Sequence, residues 1–320
     1  MKILITGGFG FIGGRISQSL RQTGHEVIIG TRKIQSDTLG FNVVQTDWLN
    51  CEQLESICKG IDTIIHLAGM NSYDCFLQPN VAINVNRIAT SNLILAAKKQ
   101  GVKNIIYFST AHVYVSPLEG TITEKFIPQN THPYATSHRI GEDAVLKANL
   151  ETDFQGIVIR LSNGFGVPIC SSANCWILLV NDLCRQAIEI GTLNLKSSGN
   201  QVRNFISMNK ICNTIKAIVS KFENQKENRN IGGIYNMGGC STMTILEMAQ
   251  FIQSRCKVVL GFEPKINIPI LENDEVPIKL NYVSKKIEKM LGSIEEGLEL
   301  EVDQLLIYCK KTFLQKYKNL

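Results

Sequence analysis

The sequence predicts an α/β fold: a doubly wound parallel sheet with a smaller C-terminal substrate domain. Three observations point there. Short apolar runs alternate with segments of helical periodicity through residues 1–163, a pattern that calls for a parallel sheet with helices on both faces and right-handed crossovers. A glycine-rich turn stands between the first apolar run and the first helical segment. Beyond residue 163 the alternation loosens into polar loops, so the two halves differ in texture.

Residues 2–6 form an apolar run that ends in glycine and read as a buried strand. Residues 11–23 read as a helix, with Ile12, Ile16 and Leu20 at helical spacing and Gly24 as its stop. Residues 27–29, the shorter pair 43–44, and 62–67 read as strands. Residues 88–100 read as a helix with Ile88, Leu95 and Ala96 on one side and Gly101 ending it. Residues 105–108 are strand-like, 133–150 read as a helix opening at a proline and carrying Glu142 and Asp143, and 156–161 read as a strand. In the second half, 171–174 and 197–201 read as polar loops and 222–233 as a charged, Asn-rich connector. Residues 234–237 read as a late strand, and 244–254 as a helix with Ile245, Met248, Ala249 and Ile252 on one face.

Composition narrows the function classes. The 320 residues are 44% hydrophobic and 19% charged, which fits a globular core and argues against disorder. The net charge of +5 is mild, and part of it sits in the tail at Lys310, Lys311, Lys316 and Lys318. Nucleic-acid binding calls for a stronger, more clustered excess, whereas a mildly basic surface suits a phosphate-bearing substrate. None of the ten cysteines forms a C-x-x-C pair, and Cys170 and Cys175 lack the partners of a zinc site, so no metal is expected. Scattered cysteines fit a reducing compartment. No apolar run reaches the roughly 18 residues of a membrane span, and the first apolar run is too short for a signal peptide. The expectation is a cytoplasmic protein.

The segment Thr6-Gly7-Gly8-Phe9-Gly10-Phe11-Ile12-Gly13 carries G-x-x-G-x-x-G between a strand and a helix. There the chain turns sharply, the backbone approaches a diphosphate, and the N–H groups and positive dipole of the helix tip hold its charge. Dinucleotide binding on a Rossmann fold follows, with Gly7, Gly10, Phe11, Ile12 and Gly13 at the cofactor. The second strand ends in Thr31-Arg32-Lys33 with no carboxylate. A carboxylate there selects NAD, whereas an Arg accommodates the 2′-phosphate of NADP, so Arg32 favours NADP over NAD; the plainer reading is an exposed loop end. Residues 1–163 are thus expected to form the dinucleotide-binding domain, with a return near 203–238, and 164–320 to be mainly substrate-binding.

Several motifs lie in order along the chain: Thr6–Gly13, Asp47-Trp48, His66-Leu67-Ala68-Gly69, Asn86, Phe108-Ser109-Thr110, Tyr134, Arg160-Leu161-Ser162-Asn163, Arg203-Asn204-Phe205-Ile206 and Tyr235-Asn236-Met237-Gly238. In these the chain resembles the extended short-chain dehydrogenase/reductases, in the branch of nucleotide-sugar epimerases, dehydratases and reductases. The resemblance implies that Asp47 and the Trp48 backbone meet the adenine, Leu67 and Ala68 line the cofactor cleft, and Asn86, opening a helix, supports the active-site helix. It implies further that Thr110 polarises the reacting oxygen, Tyr134 is the acid/base, Asn163 meets the substrate's phosphate or sugar, and Arg203 pairs with its diphosphate. Plainer readings stand beside these: Asp47 beside a helix cap, Asn163 in a turn, Arg203 as a surface cation. The implied partner is a nucleotide sugar, with homodimers formed through helices 88–100 and 133–150.

One position departs from the pattern. Family members carry a lysine four residues after the tyrosine, on the same helix face, where its charge stabilises tyrosinate and its ammonium binds the nicotinamide ribose. Here that position is His138, which has an ordinary pKa of about 6.5 and is mostly neutral at pH 7. Loss of the fixed charge falls hardest on the oxidation direction. A nucleotide-sugar reductase or epimerase follows, favoured as a keto-sugar reductase with Tyr134 as proton donor and His138 positioning the tyrosine and the ribose, or alternatively a catalytically weak dinucleotide-binding regulatory or scaffold protein. The Asp-Glu pair of the family's dehydratases is replaced by Ala111 and His112, which argues against water elimination. A lone histidine such as His112 is more often packed or exposed than catalytic.

Overall fold

The computed structural model describes residues 1–34, 37–150, 154–224, 231–269 and 278–317. Residues 225–230 of the expected connector, and Lys318, lie outside them. The strands are β1 (Lys2–Thr6), β2 (Glu26–Thr31), β3 (Asn42–Gln45), β4 (Thr63–His66), β5 (Asn104–Thr110), β6 (Gly120–Ile122) and β7 (Gln155–Leu161). They continue as β8 (Asn163–Phe165), β9 (Thr192–Asn194), β10 (Val202–Ser207), β11 (Gly233–Met237), β12 (Ser241–Thr244), β13 (Lys265–Asn267) and β14 (Leu280–Tyr282). The helices are α1 (Phe11–Gln22), α2 (Cys51–Cys58), α3 (Ser72–Leu77), α4 (Pro79–Lys99) and α5 (Pro133–Asn149), then α6 (Leu179–Ile190), α7 (Met208–Glu223), α8 (Ile245–Leu260), α9 (Lys285–Leu291) and α10 (Leu298–Tyr317).

Seven strands form one parallel sheet in the order β11-β7-β5-β4-β1-β2-β3. Side chains alternate across it. Ile3 and Ile5 join Ile16, Leu20, Ile215 and Ile218 on the face covered by α1 and α7, while Leu4 joins Leu54, Leu93 and Val145 on the face covered by α2, α4 and α5. Each such fully buried Ile or Leu contributes ~2 kcal/mol of transfer free energy. A second core, with Val180, Phe205, Ile252 and Leu305, packs α6, α8 and α10 together. The chain order reverses between β1 and β4, and in open α/β sheets ligands bind outside the strand ends at such a reversal.

The structure corrects the sequence pattern in three places. The helix expected from residue 88 begins at Pro79, a residue suited to a first helical turn. Its Asn-rich, β-branched opening has weak intrinsic propensity, and burial of Ala82 and Asn86 sustains it instead. Asn86 therefore lies inside this helix rather than at its start. Leu95, placed on the inner face with Ile88 and Ala96, is 65% exposed, whereas Ala96 is buried as expected, along with Ala82, Asn86, Ala89, Thr90, Leu93, Ile94 and Ala97. Residues 208–223, left without an element by the pattern, form α7. The helix expected at 244–254 runs on to Leu260, opened by a capping box between Thr244 and Glu247.

Candidate active site

The turn after β1 is shaped by three glycines with separate reasons. Gly7 has φ +70°, and a Cβ there would lie 3.0 Å from the Ala68 nitrogen. A Cβ on Gly13 would lie 2.3 Å from the Gly7 carbonyl oxygen, so α1 can pack this close to the strand only with glycine. Gly10 is the N-cap of α1; no side chain caps the helix there, and its first turn holds no acid. The helix tip thus presents N–H groups and a positive dipole that no side chain of the turn neutralises, which fits the diphosphate of a dinucleotide.

This tip borders a groove along the carboxyl ends of the strands. One stretch is lined by Gly7, Gly10, Phe11, Ile12 and Gly13 together with Leu67, and further along by Thr110, Tyr134, His138, Asn163 and Arg203. The adjoining stretch shares Gly7, Gly10 and Leu67 and adds Arg32, Trp48 and Ala68. The fold therefore gathers most of the expected site residues at one edge of the sheet, from segments far apart in the chain.

Two expected residues sit elsewhere. Asp47 is exposed, and its carboxylate accepts from the Leu49 N–H at 3.0 Å in the turn before α2, where Asn50 caps the helix. Asn86 is buried behind the groove. Its Nδ2 donates to Ser137 Oγ at 2.9 Å, and Ser137 Oγ donates to the Tyr134 carbonyl at 2.9 Å, so α4 steadies the first turn of α5.

Tyr134 is the second residue of α5. Pro133 starts the helix, and the Tyr134 N–H donates to His132 Nδ1 at 3.2 Å, a cap that sequence inspection missed because histidine is an uncommon N-cap residue. Burial holds the Tyr134 phenol above its ordinary pKa, partly offset by the neighbouring Thr110 side chain. One helical turn on, the His138 ring stands edge-on to the tyrosine, centroids 4.6 Å apart. Burial lowers His138 to about 4, so it is neutral at pH 7. Arg139 supplies no replacement charge; its Nη1 donates to the Pro128 carbonyl at 3.2 Å. Under the groove His66 bridges Thr6 Oγ1 (2.6 Å) and Thr90 Oγ1 (3.1 Å), and burial lowers it to about 3.

At the far end, Asn163 Nδ2 donates to the Asn204 carbonyl at 2.9 Å, which ties β8 to β10. Arg203 on β10 lies partly buried, and burial holds its pKa below the ordinary value. Among the described residues no carboxylate pairs with it. His112 lines the same stretch, and its pKa is lowered first by burial and then by Arg203 and His132. A guanidinium without a carboxylate partner of this kind suits an anionic ligand.

Residues 3–238 match the NAD dependent epimerase/dehydratase family. The chain belongs to that family. Within it, the chain is 26% identical over 272 residues to UDP-glucuronic acid decarboxylase 1 of Danio rerio, covering 79% of this chain and 60% of that protein's length. It is 28% identical over 307 residues to GDP-6-deoxy-D-talose 4-dehydrogenase of Aggregatibacter actinomycetemcomitans, covering 92% of each. Among solved structures, MoeE5 in complex with UDP-glucuronic acid and NAD superposes with a TM-score of 0.79 at 20% identity, over 98% of this chain and 100% of that one; at this identity the likeness speaks for the fold. Among the described residues of this epimerase/dehydratase family member, no helix is long and apolar enough to cross a membrane.

Proposed function

We propose that the chain reduces the keto group of a nucleotide sugar, with NADPH preferred to NADH. The observation that carries this is the pairing of Tyr134, kept protonated by burial, with a neutral His138 where a cation would promote tyrosinate. A bound reduced dinucleotide supplies the hydride. Tyr134 gives its proton to the sugar oxygen as negative charge develops there, and Thr110, whose side chain lies beside the same phenol, orients that oxygen. Neutral phenol is the form a reductase needs, so the missing ammonium costs this direction little. The tip of α1 holds the dinucleotide diphosphate, and Arg203 takes the substrate's diphosphate.

Arg32, exposed beside the groove with no ion-pair partner among the described residues, supports the NADP preference. The relative from Aggregatibacter, matched over 92% of its length, carries a 4-dehydrogenase name, and dehydrogenation and ketone reduction pass through the same transition state. Ala111 and His112 stand where water elimination needs a pair of carboxyl groups. The rival reading, a dinucleotide-binding scaffold without turnover, rests on the same neutral His138.

Titration with NADPH and NADH, followed by a screen of nucleotide 4-ketosugars, tests the proposal. Consumption of reduced dinucleotide is expected, with a nucleotide sugar that carries a hydroxyl in place of the keto group as product. Tight binding with no turnover of any ketosugar would leave the scaffold reading in its place.

A further inference from the structure

Tyr134 reaches the groove from the first turn of α5, so whatever fixes that turn fixes the phenol. Its backbone N–H donates to His132 Nδ1 at 3.2 Å, and a backbone N–H can only donate. Nδ1 is therefore the acceptor, and neutral His132 carries its proton on Nε2. Such a cap differs from the usual ones. The oxygen of a Ser, Thr or Asn cap accepts at every ordinary pH, whereas an imidazole nitrogen accepts only while it is unprotonated. The capping residue is held from two sides. The His132 N–H donates to Asn130 Oδ1 at 2.9 Å, and Asn130 Nδ2 donates to the His112 carbonyl at 2.7 Å, which ties the cap to the turn after β5. From α3 the Phe76 ring lies 15° from the plane of the imidazole, centroids 6.2 Å apart. His132 is only half-buried, so solvent protons reach it.

We propose that His132 is a positioning residue for Tyr134 with an acid release: neutral, it holds the first turn of α5 through Nδ1, and on taking a proton it lets that turn go. The proposal rests on the role of Tyr134 as proton donor. Imidazolium carries N–H at both nitrogens and accepts nothing. The Tyr134 N–H then loses its partner, and a positive ring stands against the positive end of the α5 dipole. The bond from Ser137 Oγ to the Tyr134 carbonyl (2.9 Å) is untouched, so the turn loosens at its tip rather than unwinding. The surrounding groups offer the charged ring no new anchor. On the turn after β5 stands His112, its pKa lowered first by burial and then by Arg203 and His132. On α3 the Asp74 carboxylate already accepts from Asn71 Nδ2 at 2.7 Å. On α5 itself Arg139 is committed to the Pro128 carbonyl and His138 is neutral.

Nitrogen-15 and proton NMR of the ligand-free chain tests the cap directly. Neutral His132 should show the Nε2–H tautomer, and the Tyr134 amide resonance should move with the same midpoint as the His132 ring. His132→Asn, which caps without titrating, should abolish that movement; thermal melting verifies that each variant is folded. Rates of ketosugar reduction over the pH range of that titration then test the consequence. In the unchanged chain kcat should fall as His132 charges, with KM altered less than ~2-fold, since the loss lies in the placing of the proton donor. His132→Ala should lower kcat ~2–30-fold at neutral pH, the range of one N-cap. His132→Asn should restore most of that loss and remove the acid fall at this midpoint. A neutral His132 with its proton on Nδ1, a Tyr134 amide that ignores the His132 titration, or an acid fall that His132→Asn retains would each overturn the proposal. The NMR measurement needs neither dinucleotide nor sugar, so its failure is distinct from failure of the reductase reading.

Discussion

At the scale of single residues, the chemistry turns on the absence of a cation beside Tyr134. His138→Lys should lower the phenol's pKa, and each unit is worth roughly a tenfold rise in tyrosinate. The pH–rate profile for oxidation of a nucleotide sugar should then shift to lower pH by about the same number of units as the phenol's pKa. If the profile does not move, charge at this position does not tune the tyrosine. Arg32→Asp should weaken NADPH by about tenfold while leaving NADH unchanged or tighter, since a carboxylate repels a 2′-phosphate and accepts from a 2′-hydroxyl. Equal effects on both dinucleotides would show that Arg32 does not face the ribose.

At the scale of elements, the glycines of the β1–α1 turn should respond differently to the same change. Gly13→Ala drives a methyl against the Gly7 carbonyl, where backbone has to move, so a loss of stability of ~1–3 kcal/mol is expected from thermal melting. At Gly10 the added Cβ meets only the Gly7 oxygen, at 3.1 Å. Gly10→Ala should therefore melt nearly as the unchanged chain does and lose dinucleotide affinity instead. Matching losses of stability at both positions would argue against a separate binding role for Gly10.

At the scale of the whole molecule, buried charge ties the C-terminal helix to the dinucleotide turn. Glu301 on α10 is 1% exposed and accepts from the Val167 N–H (3.1 Å), the Asn209 N–H (2.9 Å) and Arg15 Nη1 (3.2 Å) on α1. Glu301→Ala strands these donors and should cost about 3–5 kcal/mol by chemical denaturation; Glu301→Gln, which keeps the acceptor oxygen, should cost less. The molecule should also be acid-sensitive. His66 and His138 are held neutral at about 3 and about 4, so the unfolded chain takes up protons first. Their contribution is whole above about pH 6.5 and is lost as pH falls toward these values, by up to ~1.4 kcal/mol per pH unit for each histidine. The melting midpoint should fall over that window, and His66→Gln should make the fall shallower.

Local pattern was enough to read the alternating sheet, the phosphate-binding turn and the helix that begins at Pro133 with Tyr134. Alternation, glycine spacing and a proline signal all act within a few residues of chain. The departure at His138 was legible for the same reason, because a spacing of four residues places two side chains on one helix face. What His138 does was set elsewhere. Its neutrality comes from burial, which no local pattern reveals. The start of α4, the His132 cap and the isolation of Arg203 from any carboxylate among the described residues likewise depend on contacts between distant segments. Desolvation and long-range pairing come into being only when the folded sheet brings those segments together, and no stretch of chain read alone contains them.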